Sequence, residues 1–525
     1  MRGGITTFLT IPSTAGLLGC GVLALSAAAS AADPQQPQQP APAPAPAPYD
    51  AVAAAQERNE VPAERPEQKK TEHDRSDVFD ATKAKPSSPA LKQQPKEGKI
   101  SGFDFYRDPL NSDKPMTTFD EIMKADVAGK PAVMAEQRAL LESRYNLTPK
   151  TDPKITMSRG KPQPLGPTAR LPEGMTWEKL GAMSPDQIKE AGIFPYPSLP
   201  HPKQTTGGQV FPQVQIQMFP RLQRFDVDHD LPEAFLPEFP PAIFLQSRPE
   251  LGDVSRGEVV SINNFYRLFK DILTPVQLDG LRMLLTPFPE EEFNPTDDRK
   301  SAEPSLGVTC LDCHINGHTT GQFHLNPDDR PEERRLRLDT VSLRGLFNQQ
   351  IHGSKRSLRS VEDFTEFEFR TAYFNGDPIH AMKKGFTIIP RVQVAHMAQM
   401  QNMFDFPPAP KLTLTGQLDP KKATESELRG ESLFNGKAQC ATCHPAPFYL
   451  DNRMHDLHLE RFLKDEPGDG PIKAFTLRGI KDSPPYMHDG RCLTLEDTVE
   501  FFNLVQELQL TAQEKADLVA FLRQL

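Results

Sequence analysis

The pattern of hydrophobic and polar positions changes along the chain, and helical spacing becomes regular only after about residue 260. Near the C-terminus, the apolar residues from Leu518 to Leu522 follow helical spacing, and Thr511 to Glu514 ahead of them has the form of a capping box. Thr274 and Pro275 similarly supply an N-cap and a first-turn proline. The pattern predicts a mainly α-helical fold for the second half of the chain.

This half of the chain also repeats itself. Three pairs of similar blocks recur in the same order: Leu278 to Leu284 with Leu428 to Phe434, Ser342 to Leu346 with Thr476 to Ile480, and Val361 to Asp363 with Leu495 to Asp497. The last two pairs keep one offset of 134 positions (476 − 342). The repeat predicts two tandem helical domains, 258–410 and 411–525, each with a leading helix, an arginine-containing segment and a closing helix.

The first half of the chain is irregular. Residues 102–257 mix aromatic residues with prolines, and short helices are predicted near Thr117 to Ala128, Val133 to Tyr145 and Ser184 to Ala191. We expect this extension to wrap over another domain rather than to form its own core. Before it, residues 32–101 are rich in Pro, Ala, Gln and charge, and this composition predicts a disordered linker.

The N-terminus has the features of an export signal. An apolar run from Ala15 to Ala29 leads into small residues, and Ala29 to Ala31 forms a cleavage site. Leu17 to Cys20 also resembles a lipobox, but apolar residues continue past Cys20, which disfavours a lipid anchor there. We therefore expect a signal peptide over residues 1–31 and a periplasmic protein.

Composition narrows the class of protein further. The chain has 525 residues, 53 of them proline, and a formal charge of −10, which gives no support for nucleic-acid binding and would suit a basic partner protein. No stretch after the signal reaches the roughly 18 apolar residues that a membrane helix needs. The prediction is therefore a protein without a transmembrane segment that does not bind nucleic acid.

Two copies of Cys-x-x-Cys-His carry the clearest chemistry. This pentapeptide is the attachment site of c-type haem, in which each cysteine bonds a haem vinyl group and the histidine reaches the iron. A zinc site or a disulfide pair would use the same cysteines, but histidine follows both pairs at one offset in a chain that looks exported. The expected residues for two covalently bound haem c groups are Cys310, Cys313, His314, Cys440, Cys443 and His444. The remaining Cys492 is expected to be a buried small apolar residue.

After these motifs, the sequence resembles the bacterial di-haem cytochrome c peroxidase and MauG superfamily. Thr476 to Ile480, Pro484 to Gly490 and Thr494 to Asp497 are similar to its C-terminal signature. The resemblance covers residues 260–525 and implies two tandem cytochrome c domains of class-I-like fold. The long Pro-rich extension marks a divergent subgroup.

The resemblance implies roles for the two haems. His314 would bind the haem where hydrogen peroxide reacts, and His444 the haem that relays electrons. A small cytochrome c or a cupredoxin would be the electron donor. The family also often holds a calcium ion between its domains, for which the sequence assigns no ligands. The oligomeric state is open, with a homodimer among the options.

The family places a glutamine and a glutamate ten positions apart beside the reactive haem. Carried over through Val361 to Asp363, the glutamate falls on Glu362 and the glutamine position on His352. Peroxide cleavage needs a group that takes a proton from one oxygen and returns it to the other, and both residue types suit that task. The alternative is that His352 belongs to a turn and Glu362 to a solvated helix face.

The second haem departs from the family pattern at its sixth ligand. The expected methionine or tyrosine is replaced by Phe502, which cannot bind iron, so this haem is either five-coordinate or recruits another residue. The alternative ligands are Met454, His455, His458, Tyr486, Met487 and His488, with packing favoured for each of them singly. His488 is expected to bond a haem propionate. The family's tryptophan between the haems is also missing, because Trp177 lies outside the matched region.

Three functions follow from these residues. The first is a peroxidase that reduces hydrogen peroxide with electrons relayed between two haems. The second is a MauG-like oxidase that forms high-valent iron to oxidise a protein or an organic substrate. The third is an electron carrier without catalysis, against which the missing ligand at Phe502 argues.

The cluster His396 to Met403 could supply soft axial ligands to a haem iron, but a Met-rich helix more often packs in a hydrophobic core.

Overall fold

The computed structural model describes residues 119–200, 209–224, 230–287, 309–325, 336–355, 358–368, 389–466 and 468–525. All of these residues belong to one compact unit, Lys70–Leu525, and a second unit, Met1–Lys69, contains none of them. The expected signal peptide and Pro-rich linker therefore lie outside the described residues.

The described chain is mainly helical, as predicted, and its strands are short. The α-helices are α1 (Phe119–Arg144), α2 (Trp177–Gly181), α3 (Pro185–Ala191), α4 (Gln213–Met218), α5 (Phe265–Phe269), α6 (Pro275–Leu284), α7 (Cys310–Cys313), α8 (Val361–Phe367), α9 (Arg391–Gln401), α10 (Glu425–Asn435), α11 (Leu495–Val505) and α12 (Ala512–Leu522). Single turns of 3₁₀-helix occupy Pro220–Arg224, Glu233–Phe235, Pro249–Leu251, Ile315–Gly317, Leu346–Asn348, Cys440–Thr442, Leu459–Arg461 and Ile480–Asp482.

The strands pair in small antiparallel sheets. They are β1 (Thr151–Thr156), β2 (Pro162–Pro164), β3 (Gln209–Val210), β4 (Phe244–Leu245), β5 (Phe323–Leu325), β6 (Arg337–Asp339), β7 (Phe404–Asp405), β8 (Met454–His455) and β9 (Ile472–Lys473). β1 pairs with β2, β4 with β7 and β8 with β9, while β5 lies between β3 and β6. Two of these sheets join the extension before residue 257 to the later half of the chain.

Helix starts follow the predicted capping signals. The Thr274 side chain accepts a hydrogen bond from the Gln277 backbone N–H, and the Gln277 side-chain oxygen accepts one from the Thr274 backbone N–H, so α6 begins with a full capping box. Thr511 and Glu514 form the same box at α12, as predicted. Local side-chain chemistry alone therefore defines these two helix starts.

The predicted division of the first helix is wrong. One helix, α1, continues through Pro131 and spans both segments for which separate helices were expected. A proline inside a helix removes one hydrogen bond and favours a break. Here Leu141 and the following Tyr145 are fully buried in an apolar cluster, with Val133 and Met134 packed against it. Tertiary packing of this face offsets the local penalty.

The repeated blocks form equivalent helix pairs. α6 packs against α9, and α10 packs against α12. A glycine lies at the closest point of each helix pair. A Cβ at Gly280 would collide with the carbonyl oxygen of His396, and a Cβ at Gly430 would collide with the carbonyl oxygen of Asp517. The glycine in each repeated heptapeptide therefore permits close approach of two helix backbones.

Two apolar clusters underlie the two haem motifs. The first cluster includes Leu281, Met397 and Phe404 with Cys310 and Cys313 packed against it. The second cluster includes Phe434, Val499 and Phe521, and Cys440 packs against it. The extension supplies residues to both, for example Ile243 to the first and Phe194 to the second. The extension therefore packs against both clusters, and it also supplies most of a third cluster around Leu141, Tyr145 and Phe235. That it wraps over a separate domain stays a prediction.

Candidate functional site

The first Cys-x-x-Cys-His motif is held by a short capped helix. α7 contains Cys310 and Cys313, and the Asp312 carboxylate accepts from the Thr309 backbone at 2.6 Å and from Arg221 at 2.6 and 2.7 Å. His314 follows directly, and its Nδ1 lies 2.8 Å from the Val341 carbonyl oxygen. A carbonyl only accepts, so Nδ1 donates and Nε2 keeps its lone pair. Burial lowers the pKa of His314 to about 4, which keeps the imidazole neutral.

The second motif repeats this arrangement. Cys440–Thr442 forms one 3₁₀ turn, and the His444 ring lies beyond it with Nδ1 2.9 Å from the Tyr449 carbonyl oxygen. Burial lowers the pKa of His444 as well. Histidines that bind metal usually donate the other ring N–H to such an acceptor, which fixes the tautomer and the ring orientation. Both histidines therefore present Nε2 as a ligand.

The second motif opens onto a cavity of about 390 Å³. Cys440, Cys443 and His444 line it together with apolar residues from α11 and α12, such as Val499, Phe502 and Leu518. None of the five cysteines in the described ranges forms a disulfide. Two thiols and a neutral imidazole in the wall of one largely apolar cavity fit a covalently bound haem.

The zinc alternative finds no support in the geometry. A structural zinc site built from two Cys-x-x-Cys knuckles needs all four sulfurs around one point. Among the residues that the structure describes, the clusters that could hold a metal are Cys443 with Asp451 and His455, and Asp456 with His458 and Glu460. Neither cluster joins the two cysteine pairs, so each motif stands as a separate site.

Glu362 lies at the start of helix α8, and His352 lies in the loop that precedes this helix. Glu362 lies in the first turn of α8, which Ser360 caps, and it is partly exposed. His352 is 4% exposed and pairs through its backbone with Leu358, just before that helix. Burial, assisted by the positive charge of Lys473, lowers the pKa of His352 to about 4. In the described ranges no hydrogen bond joins the two side chains, so their joint action in one pocket stays a prediction.

Phe502 lines the cavity from α11. That it takes the place of the family's sixth iron ligand stays a prediction. Tyr486, Met487, His488 and His455 also line it. Met454 is not among the lining residues, and its strand partner is Lys473, which disfavours it as an iron ligand.

Three other candidate iron ligands, Tyr486, His455 and His458, are hydrogen-bonded or exposed to solvent. The Tyr486 hydroxyl accepts from Gln163 at 3.4 Å, and burial raises its pKa. His455 Nε2 lies 2.7 Å from Asp451, in a cluster that includes the Cys443 sulfur. The His458 side chain is 62% exposed. These contacts favour packing or hydrogen bonding for each of the three.

His488 lies in a buried charged cluster at the cavity. Its backbone oxygen accepts from the Asp339 backbone at 2.8 Å, and Arg491 nearby bonds Asp489 and Asp469. One carboxylate oxygen of Asp339 is buried without a hydrogen-bond partner in the described part of the chain. Burial, assisted by the nearby Asp489 carboxylate, raises the pKa of Asp339 well above its usual range. An orphaned acid at the cavity wall is a suitable neighbour for a haem propionate.

One network at the site was not anticipated. Arg344, in the first repeated arginine block, donates to Asp482 at 3.1 Å. Asp482 also accepts from the backbone of Ser158 at 2.9 Å, and its own backbone oxygen accepts from His318 at 3.0 Å. The network ties the extension to both halves of the repeat. The repeated arginine was visible in the sequence, but its partners were not.

The remaining singled-out residues are structural. Met397 and Met400 are fully buried in the first cluster, and His396 lies 2.8 Å from Asp279, which supports core packing for this helix. Cys492 is fully buried, as expected. Trp177 packs edge-on against Phe194 at 5.4 Å between ring centres.

Comparisons with known proteins show which proteins part of the chain is similar to. No family model matches it. It is 29% identical to the cytochrome-c peroxidase IdrP1 of Pseudomonas sp. strain SCT, over 20% of this chain and 41% of that protein. It is 32% identical to the methylamine utilization protein MauG of Methylorubrum extorquens, over 18% of this chain and 33% of that protein. The chain thus spans about two fifths of the first relative and a third of the second.

A solved structure titled as a MauG-like protein associated with microbial copper homeostasis aligns with 49% of this chain and 90% of its own. The identity is 19% and the TM-score is 0.34. The curated matches confirm the resemblance that the sequence motifs indicated, since about a fifth of this chain is similar to bacterial cytochrome-c peroxidases and to MauG.

Proposed function

We propose that this protein is a periplasmic di-haem c-type peroxidase that reduces hydrogen peroxide with electrons from a small cytochrome c or cupredoxin. The observation that carries the proposal is that the two Cys-x-x-Cys-His motifs have the same local hydrogen bonding. In each, paired cysteines precede a neutral histidine whose Nδ1–H is held by a backbone carbonyl. Two tandem domains, each with one such motif, are the organisation that we propose for residues 258–410 and 411–525.

The bound haem groups supply iron that exchanges electrons with peroxide and with the donor. The chain holds them through Cys310, Cys313 and His314, and through Cys440, Cys443 and His444. The carbonyls of Val341 and Tyr449 keep each imidazole in the ligating tautomer. The protein thereby provides orientation and electrostatics, while the redox chemistry belongs to the cofactor.

Glu362 is the proposed general base and acid. Its carboxylate oxygen accepts the proton of the peroxide oxygen that approaches the site and returns it to the departing oxygen. His352 is the proposed second proton carrier, since its buried imidazole is neutral at pH 7 and can take up a proton. The partial exposure of Glu362 leaves it a path to solvent for the protons that the reaction consumes.

A MauG-like oxidase is the second candidate, and Phe502 is the observation that favours it. An electron-relay haem in an ordinary peroxidase takes a side-chain ligand where this chain has an apolar ring. The Phe502 ring also weighs against a non-catalytic electron carrier, because both haem irons of such a carrier would be six-coordinate.

The test begins with mass spectrometry of protein matured in a host that attaches haem c. Two porphyrin additions and a start at Ala32 are expected for the exported protein. Steady-state assays with a reduced donor cytochrome then measure peroxide consumption. Turnover supports the peroxidase, whereas haem-loaded protein without turnover that still modifies a protein substrate supports the oxidase. A mass without porphyrin additions contradicts both.

None of the helices in the described ranges is both long and apolar enough to cross a membrane.

A further inference from the structure

Lys473 is a buried lysine that has no carboxylate partner among the residues that the structure describes. Its residue is 3% exposed, and its Nζ donates to the side-chain oxygen of Gln349. The ammonium also lies 4.5 Å from the ring centre of Phe475. In the described part of the chain it forms no ion pair with a carboxylate, and burial alone lowers the pKa of Lys473 to about 7.

Other buried cations of this fold have acidic partners. Lys515 lies 2.6 Å from Glu500, Arg491 contacts two aspartates, and Arg344 contacts Asp482. Removing an ammonium from water without such a partner costs several kcal/mol. A neutral amide and one aromatic ring offset only part of that cost. Lys473 is therefore a buried cation that an anionic partner would stabilise.

An anion that pairs with Lys473 would lie in the cavity at the second motif. Lys473 and Gln349 both line the cavity that contains Cys440, Cys443 and His444. Gln349 is itself buried, with 8% of its surface exposed. Haem c carries two propionate carboxylates, at the edge of the porphyrin away from its thioether bonds. A haem bound at the second motif would bring carboxylates into this cavity.

We propose that the Lys473 ammonium is the counter-ion of one propionate of the haem at the second motif. The proposal rests on the proposed function only in requiring that haem. Gln349 positions the ammonium, and it lies three residues before His352, in the half of the repeat that carries the first motif. The propionate contact therefore joins the second haem to the first half of the repeat. His488 and Asp339 line the same cavity and are the residues that we propose for the second propionate.

A cation beside the propionate has a redox consequence. Reduction of the iron adds one negative charge to the haem, and a nearby ammonium stabilises that state more than the oxidised one. Lys473 should therefore raise the reduction potential of the second haem. A lysine that only fills space and contacts Phe475 would have no such effect.

The experiment compares K473Q and K473R with the wild type by spectroelectrochemical titration of the holoprotein. K473Q should lower the potential of the second haem enough to change its oxidised-to-reduced ratio at least tenfold, which is 59 mV for one electron. K473R keeps the charge and should stay close to the wild type. Lys421→Gln, which removes an exposed lysine from the same half of the repeat, is the matched control. An unchanged potential in K473Q, or equal shifts in both haems, overturns the proposal.

A second measurement covers the case in which K473Q does not mature. In a crystal structure of the wild-type holoprotein, Nζ should lie within about 4 Å of a propionate oxygen. A propionate bound elsewhere overturns the proposal while leaving the peroxidase intact. A wild-type mass that lacks the second porphyrin contradicts both, so the two failures are distinguishable.

Discussion

Phe502 and His444 line the same cavity, one from helix α11 and the other from the second haem motif. His444 is the proposed iron ligand, and Phe502 is an apolar ring at the position where the resemblance predicts a methionine or tyrosine ligand. This relationship determines how the second haem should behave, and it can be changed with one substitution.

Phe502→Met should convert the second haem from a five-coordinate to a six-coordinate, low-spin state. The thioether sulfur of methionine is a ligand for haem iron, whereas the phenyl ring is not. Optical and electron paramagnetic resonance spectra of the ferric protein measure the change. Phe502→Leu is the control and should keep the high-spin signal. If the wild-type haem is already low-spin, another residue is the ligand and the role assigned to Phe502 is wrong.

Glu362→Gln should slow peroxide turnover about 100-fold or more while both haems stay attached, since general acid–base groups contribute about 10²–10⁴. The amide keeps the size of the side chain but cannot take up the proton. Stopped-flow mixing with peroxide measures the reaction, and haem absorbance measures occupancy. Glu366→Gln on the same helix, where Glu366 pairs with Arg391, is the matched control. Equal rates in wild type and Glu362→Gln would remove Glu362 from the mechanism.

Gly430→Ala should destabilise the protein by about 1–3 kcal/mol, because the new methyl group collides with the backbone of α12 at Asp517. Gly129, which lies in α1 with open space around it, is the matched control. Gly129→Ala should be neutral or stabilising by up to about 1 kcal/mol, since alanine is the better helix former. Urea denaturation of both variants measures the difference. Equal stability would show that the two helices do not approach closely.

Asp517 makes the pairing of α10 with α12 dependent on pH. Arg429 donates to its carboxylate at 2.8 and 2.9 Å, and Ser426 at 2.5 Å. Arg429 above all lowers the pKa of Asp517 to about 2, below that of an unfolded aspartate near 3.9. The folded state therefore favours the ionised form, and this contribution is complete above about pH 4 and lost as the pH falls through 2.

Asp517→Asn should accordingly be less stable than the wild type at pH 7, with a difference that stays constant down to pH 5. The difference should shrink between pH 4 and 2, because the wild-type carboxylate becomes protonated there. Denaturant titrations at a series of pH values measure both proteins. Asp465→Asn, which changes an exposed aspartate, is the control and should track the wild type throughout. A difference independent of pH would assign the effect to packing.

Much of the fold was predictable because its signals are local. Capping boxes at Thr274 and Thr511 act through residues three positions apart, so the start of α6 and the start of α12 follow from neighbouring side chains. The repeated blocks that contain Gly280 and Gly430 likewise predicted that α6 and α10 are corresponding helices. The helix through Pro131 was missed because its stability comes from apolar contacts with residues distant in sequence.

For this protein, the sequence by itself determined the two haem motifs, the duplicated helical half and the relationship to cytochrome-c peroxidases and MauG. These depend on short motifs and on order along the chain. Only the tertiary structure decided that Phe502 lines the cavity at the second motif and that Asp482 joins Arg344 to the extension. It also decided that Lys473 is buried with no acidic partner among the described residues. Burial and charge pairing depend on residues far apart in the chain, and the folded packing alone brings those residues together.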